Sequence, residues 1–157
     1  MAELEKRGVY TRALSMPSPE NPICIECVKE IKRHLERNKD DEVYLVGHSV
    51  GASAILRYLE SEGIKPLITG AVLVSGLCER SKNEKINNFL DRPFDYPNIK
   101  SRVKKFAIIH GDNDPNVPLS DAETLSKVLG GKLTVVPVGG HLMGLVDGIH
   151  YHNVLML

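Results

Sequence analysis

Residues 43–60 read VYLVGHSVGASAILRYLE, and this stretch decides the fold. The compact apolar run Val43–Val46 is typical of a buried strand, and apolar residues then recur at helical spacing from about 50 to 61. Between the strand and the helix stands a G-x-S-x-G motif with Ser49 at its centre. A serine on such a tight turn holds its hydroxyl clear of the sheet, which is the arrangement of a nucleophile elbow. The other interpretation of the same residues is a glycine-flanked serine that caps the helix.

The remainder of the chain also alternates strands with helices. Apolar strands that are each followed by a helix are typical of a parallel sheet covered on both faces. The sequence therefore predicts an α/β fold with a mostly parallel, doubly wound sheet, helices on both faces, and a single domain over residues 1–157. The predicted strands are 9–14, 43–46, 68–75, 104–110 and 132–138, and the predicted helices are 23–37, 50–61, 119–129 and 148–157, with the end of another helix at 1–7 and one helical turn at 84–90.

Two further polar candidates follow strands of this predicted sheet. Asp114 lies in the loop after the strand 104–110, and His141 follows two glycines after the last strand. The carboxyl ends of parallel strands meet at one edge of a sheet, so we expect both side chains near Ser49. A carboxylate there can orient a histidine that takes the serine proton, and the chain order Ser, Asp, His is that of an α/β-hydrolase. The alternatives are that Asp114 only caps the next helix and that Asp112 is a competing acid.

Four stretches of the chain carry a family resemblance. They are VYLVGHSVGASAILRYLE (43–60), AVLVSGL (71–77), RPFDYPNIKSRVKKFAIIHGDNDPNVP (92–118) and VPVGGHL (136–142). They resemble the small serine hydrolases of the α/β-hydrolase superfamily that include retinoblastoma-binding protein nine and its bacterial relatives, and RPFDYPNIK is the most distinguishing segment. The resemblance extends from about Leu14 to Leu142 and implies a compact hydrolase without a large cap domain. It implies Ser49 as the nucleophile, Asp114 as the acid and His141 as the base.

The chain departs from that family at its beginning. In the family a buried strand with a His-Gly loop precedes the helix that residues 1–7 resemble, and it lies between the strands that correspond to 9–14 and 43–46. That loop supplies a second oxyanion donor and part of the substrate wall. The resemblance therefore implies an N-terminally shortened domain with a gap in its sheet. Three arrangements are open: a truncated product, direct pairing of the two flanking strands, or a second subunit that fills the gap.

These residues predict a serine hydrolase, carboxylesterase-like, that cleaves a small ester or related acyl compound. The backbone amide of Val50 is expected to stabilise the oxyanion, and no metal or organic cofactor is expected. We expect the polar stretch 79–97 to cover the pocket, with apolar substrate contacts from Leu77, Phe89, Phe94 and Tyr96. The alternative is a weakly active or non-catalytic protein-interaction module, because the lost oxyanion loop would impair activity.

Composition and charge limit the classes of partner that we expect for this chain. The chain has 157 residues with 20 basic and 20 acidic side chains, and this zero net charge argues against a nucleic-acid binder. No apolar run approaches the roughly 20 residues of a membrane span, and the charged N-terminus MAELEKRG lacks a signal region, so we expect no membrane contact and a cytoplasmic location. The expected partner is a small-molecule acyl substrate. Low net charge and the sheet gap also predict a tendency to form homo-oligomers.

Other cysteine and histidine patterns are weaker. Cys24-x-x-Cys27 lacks the second ligand pair that a structural zinc site needs, so we interpret it as two small residues on one helix. His150-x-His152 near the C-terminus is interpreted as a helix end or a frayed tail. His48 stands beside the nucleophile but is a poor base candidate, because adjacent side chains at an elbow diverge.

Overall fold

The described part of the chain contains six strands, five α-helices and one 3₁₀ helix. The computed structural model describes residues 2–35, 42–61, 67–143 and 154–156. The strands are β1 (Arg12–Leu14), β2 (Tyr44–His48), β3 (Gly70–Val74), β4 (Phe106–Gly111), β5 (Lys132–Val136) and β6 (Val154–Met156). The helices are α1 (Ala2–Glu5), α2 (Cys24–Leu35), α3 (Val50–Glu60), α4 (Tyr96–Ser101) and α5 (Leu119–Leu129), with the 3₁₀ helix at Glu84–Phe89.

One sheet with the strand order β1-β6-β2-β3-β4-β5 organises the fold. Strands β2 to β5 are parallel to one another, and β6 runs antiparallel to both of its neighbours. The loops that follow β2, β4 and β5 therefore meet at one edge of the sheet. This topology confirms the predicted α/β fold with a mostly parallel sheet.

The hydrophobic core lies between this sheet and a layer of helices. Leu45, Leu73 and Ile108 share the sheet face that α3 covers, and each is at most 1% exposed. Helices α2, α3, α4 and α5 pack one against the next along that face. The opposite face carries the half-buried Val72 and Val74. None of the described helices is long and apolar enough to cross a membrane.

The predicted elements agree with the observed ones where the hydrophobic period is strong. Helix α5 has the predicted bounds, and α3 begins at the predicted residue and ends one residue earlier. Helix α2 begins one residue later than predicted, and its last two predicted residues, 36 and 37, lie outside the described residues. Helix α4 was not predicted, although its start carries two recognisable signals. The Asp95 side chain accepts a hydrogen bond from the Asn98 amide, and Pro97 stands in the first turn, where its missing N–H costs nothing.

The C-terminal tail differs from its prediction. Residues 154–156 form strand β6 rather than part of a helix, and the rest of the predicted helix, 148–153 and 157, lies outside the described residues. The strand pairs with β1 on one side and with β2 on the other, at the position where the resemblance implied a gap. A strand satisfies backbone groups on both neighbours, which a helix at this place would leave unpaired. The gap is thus filled by the chain's own tail, and neither direct pairing of the flanking strands nor a second subunit is needed to close it.

Candidate active site

Ser49 occupies a strained turn between β2 and α3. Its backbone angles, φ 54° and ψ −124°, lie in a region that residues other than glycine rarely adopt. Its amide donates a hydrogen bond to the Val74 carbonyl at 2.8 Å. A Cβ on Gly47 would lie 2.7 Å from backbone atoms of Gly51 and Ala52, so only glycine fits there. The Ser49 hydroxyl makes no capping hydrogen bond to α3. The interpretation of Ser49 as a simple helix cap is therefore wrong.

Three polar side chains meet in a line at this edge of the sheet. The Ser49 hydroxyl lies 3.1 Å from His141 Nε2, and His141 Nδ1 lies 2.7 Å from Asp114 Oδ2. The Asp114 side chain is fully buried and that of His141 is 8% exposed. A carboxylate neighbour fixes the Nδ1–H tautomer of the imidazole, which leaves Nε2 free to accept the hydroxyl proton of Ser49. The structure thus brings together the three residues whose chain order suggested a triad.

Asp114 is held as an anion by the hydrogen bonds around it. Burial tends to raise the pKa of this carboxyl. Hydrogen bonds from His141 and from the backbone amides of Val117 and Asn116 outweigh burial, and the pKa is lowered below its usual value. The two amides bind Oδ1 at 3.0 and 2.9 Å, so that Oδ2 is left to face the imidazole.

The loop that carries His141 is tied to the loop that carries Asp114. Asp112 Oδ1 accepts a hydrogen bond from the Val138 amide at 2.8 Å, and Asn113 Oδ1 accepts one from the Gly140 amide at 2.7 Å. Asp112 therefore binds the backbone of the histidine loop and makes no hydrogen bond to the imidazole. The competition between the two aspartates is resolved in favour of Asp114 as the neighbour of His141.

A cavity of about 660 Å³ opens beside Ser49. Its lining includes Ser49, His141, Leu77 and Phe89, together with part of the loop that follows β1. Leu77 is held in place because its carbonyl accepts a hydrogen bond from the buried Ser53 hydroxyl at 3.0 Å. The volume is within the range that small-molecule sites occupy.

Comparison with known proteins gives the family of the chain. A family model described as serine hydrolase matches residues 2–149. YdeN of Bacillus subtilis (strain 168) is 30% identical over 137 residues, which are 87% of this chain and 72% of YdeN. Serine hydrolase RBBP9 of Rattus norvegicus is 27% identical over 106 residues, which are 68% of this chain and 56% of RBBP9. The crystal structure of the ydeN gene product from B. subtilis matches with a TM-score of 0.83 over 89% of this chain and 75% of that chain.

The chain belongs to the serine hydrolase family. The match confirms the resemblance that the four sequence stretches carried, and the crystal structure of the B. subtilis relative confirms the α/β fold. The chain spans 56% of the length of RBBP9.

Two of the four expected substrate contacts of this serine hydrolase lie elsewhere. Phe94 and Tyr96 are not among the residues that line the cavity. The guanidinium of Arg57 stacks on the Phe94 ring at 3.9 Å, and the Tyr96 ring packs on Phe94 with a centroid distance of 5.9 Å. The buried Arg57 also donates to the Phe89 carbonyl at 2.7 Å. Phe94 therefore packs against Arg57 of α3, and the same arginine holds the backbone of Phe89, which lines the cavity.

Two further histidines lie near the triad, and sequence reasoning missed the role of His48. His48 Nε2–H donates to the His141 carbonyl at 2.7 Å, and the two rings meet edge to face with centroids 4.8 Å apart. His48 thus supports the histidine loop. His110, fully buried, donates through Nε2–H to the Val117 carbonyl at 3.0 Å and lies 3.6 Å from Asp114 Oδ2. The position of each histidine at the end of a strand was the available signal.

The cysteines are weak alternatives to Ser49 as the nucleophile, because burial raises the pKa of each thiol. Cys27 lines the cavity, and burial, with smaller effects from Cys24 and Glu26, raises the pKa of its thiol to about 11. A thiol with such a pKa is a poor nucleophile at neutral pH. Among the residues that the structure describes, no group of three His, Cys, Asp or Glu side chains is placed to hold a metal ion. His150 and His152 lie outside the described residues.

Proposed function

We propose that this serine hydrolase cleaves a small ester or related acyl compound through an acyl-enzyme on Ser49. The observation that carries the proposal is the continuous line from the strained Ser49 to His141 and on to the buried Asp114. A capping or packing role for Ser49 explains neither its positive φ nor a histidine at hydrogen-bond distance. The adjoining cavity gives an acyl group a place to bind.

Proton transfer begins the proposed reaction. Ser49 Oγ gives its proton to His141 Nε2 as the oxygen attacks the acyl carbonyl carbon. Asp114 does not take this proton. It keeps the imidazole in the Nδ1–H tautomer and stabilises the positive charge that develops on the ring.

The carbonyl oxygen becomes an anion in the tetrahedral intermediate, and the amide of Val50 at the start of α3 is the donor that we assign to it. The C–O bond to the leaving group then breaks, and His141 returns its proton to the departing alcohol. Water, deprotonated by the same imidazole, attacks the acyl carbon. The bond from that carbon to Ser49 Oγ then breaks, the acid is released, and His141 returns the proton to Ser49 Oγ. Each oxyanion donor is worth about 10²–10³ in rate, so we expect modest turnover if Val50 acts without a second donor.

Labelling with a fluorophosphonate probe is the direct test, because it reports a reactive serine even when turnover is slow. We expect one label per chain on the wild type, mass-mapped to Ser49, and none on Ser49→Ala. Ser101→Ala is the matched control, since Ser101 is an exposed serine of α4 that does not line the cavity and whose hydroxyl donates to the Asn98 carbonyl. Ester hydrolysis measured on the same three proteins shows whether labelling and turnover depend on the same residue.

A folded wild type that takes up no label at Ser49 would contradict the proposal. That outcome would favour the alternative, a hydrolase-fold module without catalysis. Equal hydrolysis by wild type and Ser49→Ala would contradict the proposal as well, since the activity would then arise from another group.

A further inference from the structure

The mouth of the cavity differs in charge from its interior. The apolar side chains that are buried in the lining are Cys27, Ala54, Leu77, Phe89 and Val117. The side chains of the lining that carry a full charge at neutral pH all lie among its exposed members, and they are Glu20, Lys82 and Lys85. The cavity that adjoins Ser49 thus combines a buried apolar part with an exposed charged part.

Two segments that form the mouth are fastened to each other. Lys85 Nζ donates to the Glu20 backbone carbonyl at 3.2 Å. Asn88 Nδ2 donates to the Pro22 carbonyl at 3.0 Å, and the Cys24 amide donates to Asn88 Oδ1 at 2.7 Å. The Lys85 ammonium is thereby positioned over the loop that follows β1, at the rim of the cavity.

The positive charges at this rim are not paired with any carboxylate of the described residues. Within the described part of the chain, neither Lys82 nor Lys85 forms an ion pair, and the lysines outnumber Glu20 two to one. The neighbouring Arg80, by contrast, is paired with two carboxylates and does not line the cavity. A cleft with low-dielectric walls focuses the electric field of such an excess charge, which attracts a ligand of opposite charge.

We infer that the substrate of this site carries an anionic group, a carboxylate or a phosphate, at an end remote from the scissile bond. Lys82 and Lys85 bind that anion at the mouth, while the apolar interior holds the part next to the ester. The inference rests on the proposed function, because it names the substrate class of the same serine site. The two lysines bind substrate and take no part in proton transfer.

Two matched substrate pairs test the inference on either side of the ester bond. The acyl pair is p-nitrophenyl pentanoate and p-nitrophenyl hemiglutarate, in which a carboxylate replaces a terminal methyl. The leaving-group pair is 4-methylphenyl butyrate and 4-carboxyphenyl butyrate. For each pair the ratio of kcat/KM, anionic over neutral, is compared between proteins, so the intrinsic reactivity of each ester cancels.

We expect K82A/K85A to lower this ratio about three- to tenfold in at least one pair, the range expected for two partly exposed charge pairs. The double variant K82R/K85R should restore the ratio, and added salt should reduce it in the wild type. K127A/K132A is the matched control, because these exposed lysines do not line the cavity. It should keep the wild-type ratio. E20Q should raise the ratio, since it removes the opposing charge and leaves the backbone carbonyl that Lys85 uses.

Unchanged ratios in both pairs for K82A/K85A would overturn the inference, and so would an equal fall for K127A/K132A. Both results leave Ser49-dependent hydrolysis in place. A wild type that hydrolyses none of the four esters and takes no fluorophosphonate at Ser49 is a different result, since it removes the proposed function and this inference with it.

Discussion

The sheet on the two sides of Ser49 is built in different ways. On the β4–β5 side the strands pair over five positions, and the loops beyond them are joined by side chains that bind the opposing backbone. On the β1–β6 side each strand has three residues, and the position next to β2 is taken by the chain's own tail. The groups that orient the proton acceptor thus lie on the side with the denser set of hydrogen bonds.

The contacts that serve catalysis and the contacts that close the sheet therefore lie on different sides of Ser49. The contacts of Asp114 and His141 come from β2, β4, β5 and their loops, and none of those given above involves β1 or β6. Substitutions on the β4–β5 side should therefore lower kcat before they lower stability. Substitutions on the β1–β6 side should lower the free energy of unfolding first.

The largest effect should follow Asp114→Asn. The two backbone amides that bind Asp114 Oδ1 need an acceptor, so Asn would keep its oxygen there and turn its NH₂ toward His141 Nδ1. The imidazole would then carry its proton on Nε2 and could not accept one from Ser49. We expect kcat to fall about 10⁴-fold, measured with p-nitrophenyl esters.

Urea unfolding of the same variant is the control, because its fold should remain intact. A loss of less than tenfold in kcat from a folded Asp114→Asn protein would show that Asp114 does not set the tautomer of His141.

Leu155→Pro should have the next largest effect, and on the other property. Leu155 lies at the centre of β6, between Ala13 of β1 and Val46 of β2, and proline removes its N–H from the ladder. We expect the free energy of unfolding to fall by about 1–3 kcal/mol, measured by urea denaturation. Below the transition, labelling of Ser49 should persist, since its partners lie on the opposite side.

Leu155→Ala is the matched variant, because it trims the side chain but keeps the N–H. If Leu155→Pro and Leu155→Ala lose equal stability, the ladder at β6 contributes nothing. If folded Leu155→Pro loses labelling as completely as Ser49→Ala, the separation of the two sides fails.

The two sides also differ in how far the sequence predicted them. Helical period and the G-x-S-x-G spacing are local signals, and they placed α3, α5 and the turn at Ser49 correctly. Asp114 and His141 were found because the ends of parallel strands converge, which topology alone requires. Strand β6 could not be found this way. Its three residues carry no period, and what makes them a strand is a pair of distant neighbours with unsatisfied backbone groups.

The substrate wall shows the same limit at the level of single side chains. Leu77, Phe89, Phe94 and Tyr96 were equivalent candidates in sequence, as apolar residues in or next to a polar stretch. Arg57, a charged residue inside an apolar helix, separates them by stacking on Phe94 and binding the Phe89 carbonyl. A buried arginine with so many partners leaves no periodic trace from which those partners can be named.

Asp112→Ala should have a smaller effect than either change above, though it acts on the catalytic side. The substitution removes one hydrogen bond, from the Val138 amide, that positions the histidine loop. The bond between Asn113 and Gly140 remains, so we expect kcat/KM to fall about tenfold at most. Asp112→Asn keeps an acceptor and should stay near the wild-type value. A loss for Asp112→Ala as large as that for Asp114→Asn would make Asp112 the orienting acid.

The smallest effect concerns the pH dependence of stability, and it compares the carboxyl of Asp114 in the candidate site with a carboxyl on the surface of α2. Burial opposes ionisation of Asp114, but hydrogen bonds from His141 and two amides lower its pKa below the usual value of about 3.9. A carboxyl whose pKa is lower in the folded state stabilises the fold above its unfolded pKa, and that contribution is lost as pH falls through the folded pKa. The stability difference between wild type and Asp114→Asn should therefore be constant near neutral pH and shrink below about pH 4 in urea titrations.

Glu30 also has a lowered pKa, chiefly from its hydrogen bond to Arg33, but this pair lies on the exposed face of α2. Glu30→Gln should show a weaker change over the same pH range, because solvent screens the pair. An equal change for the two variants would mean that the hydrogen bonds to Asp114 contribute no more to the fold than an exposed ion pair.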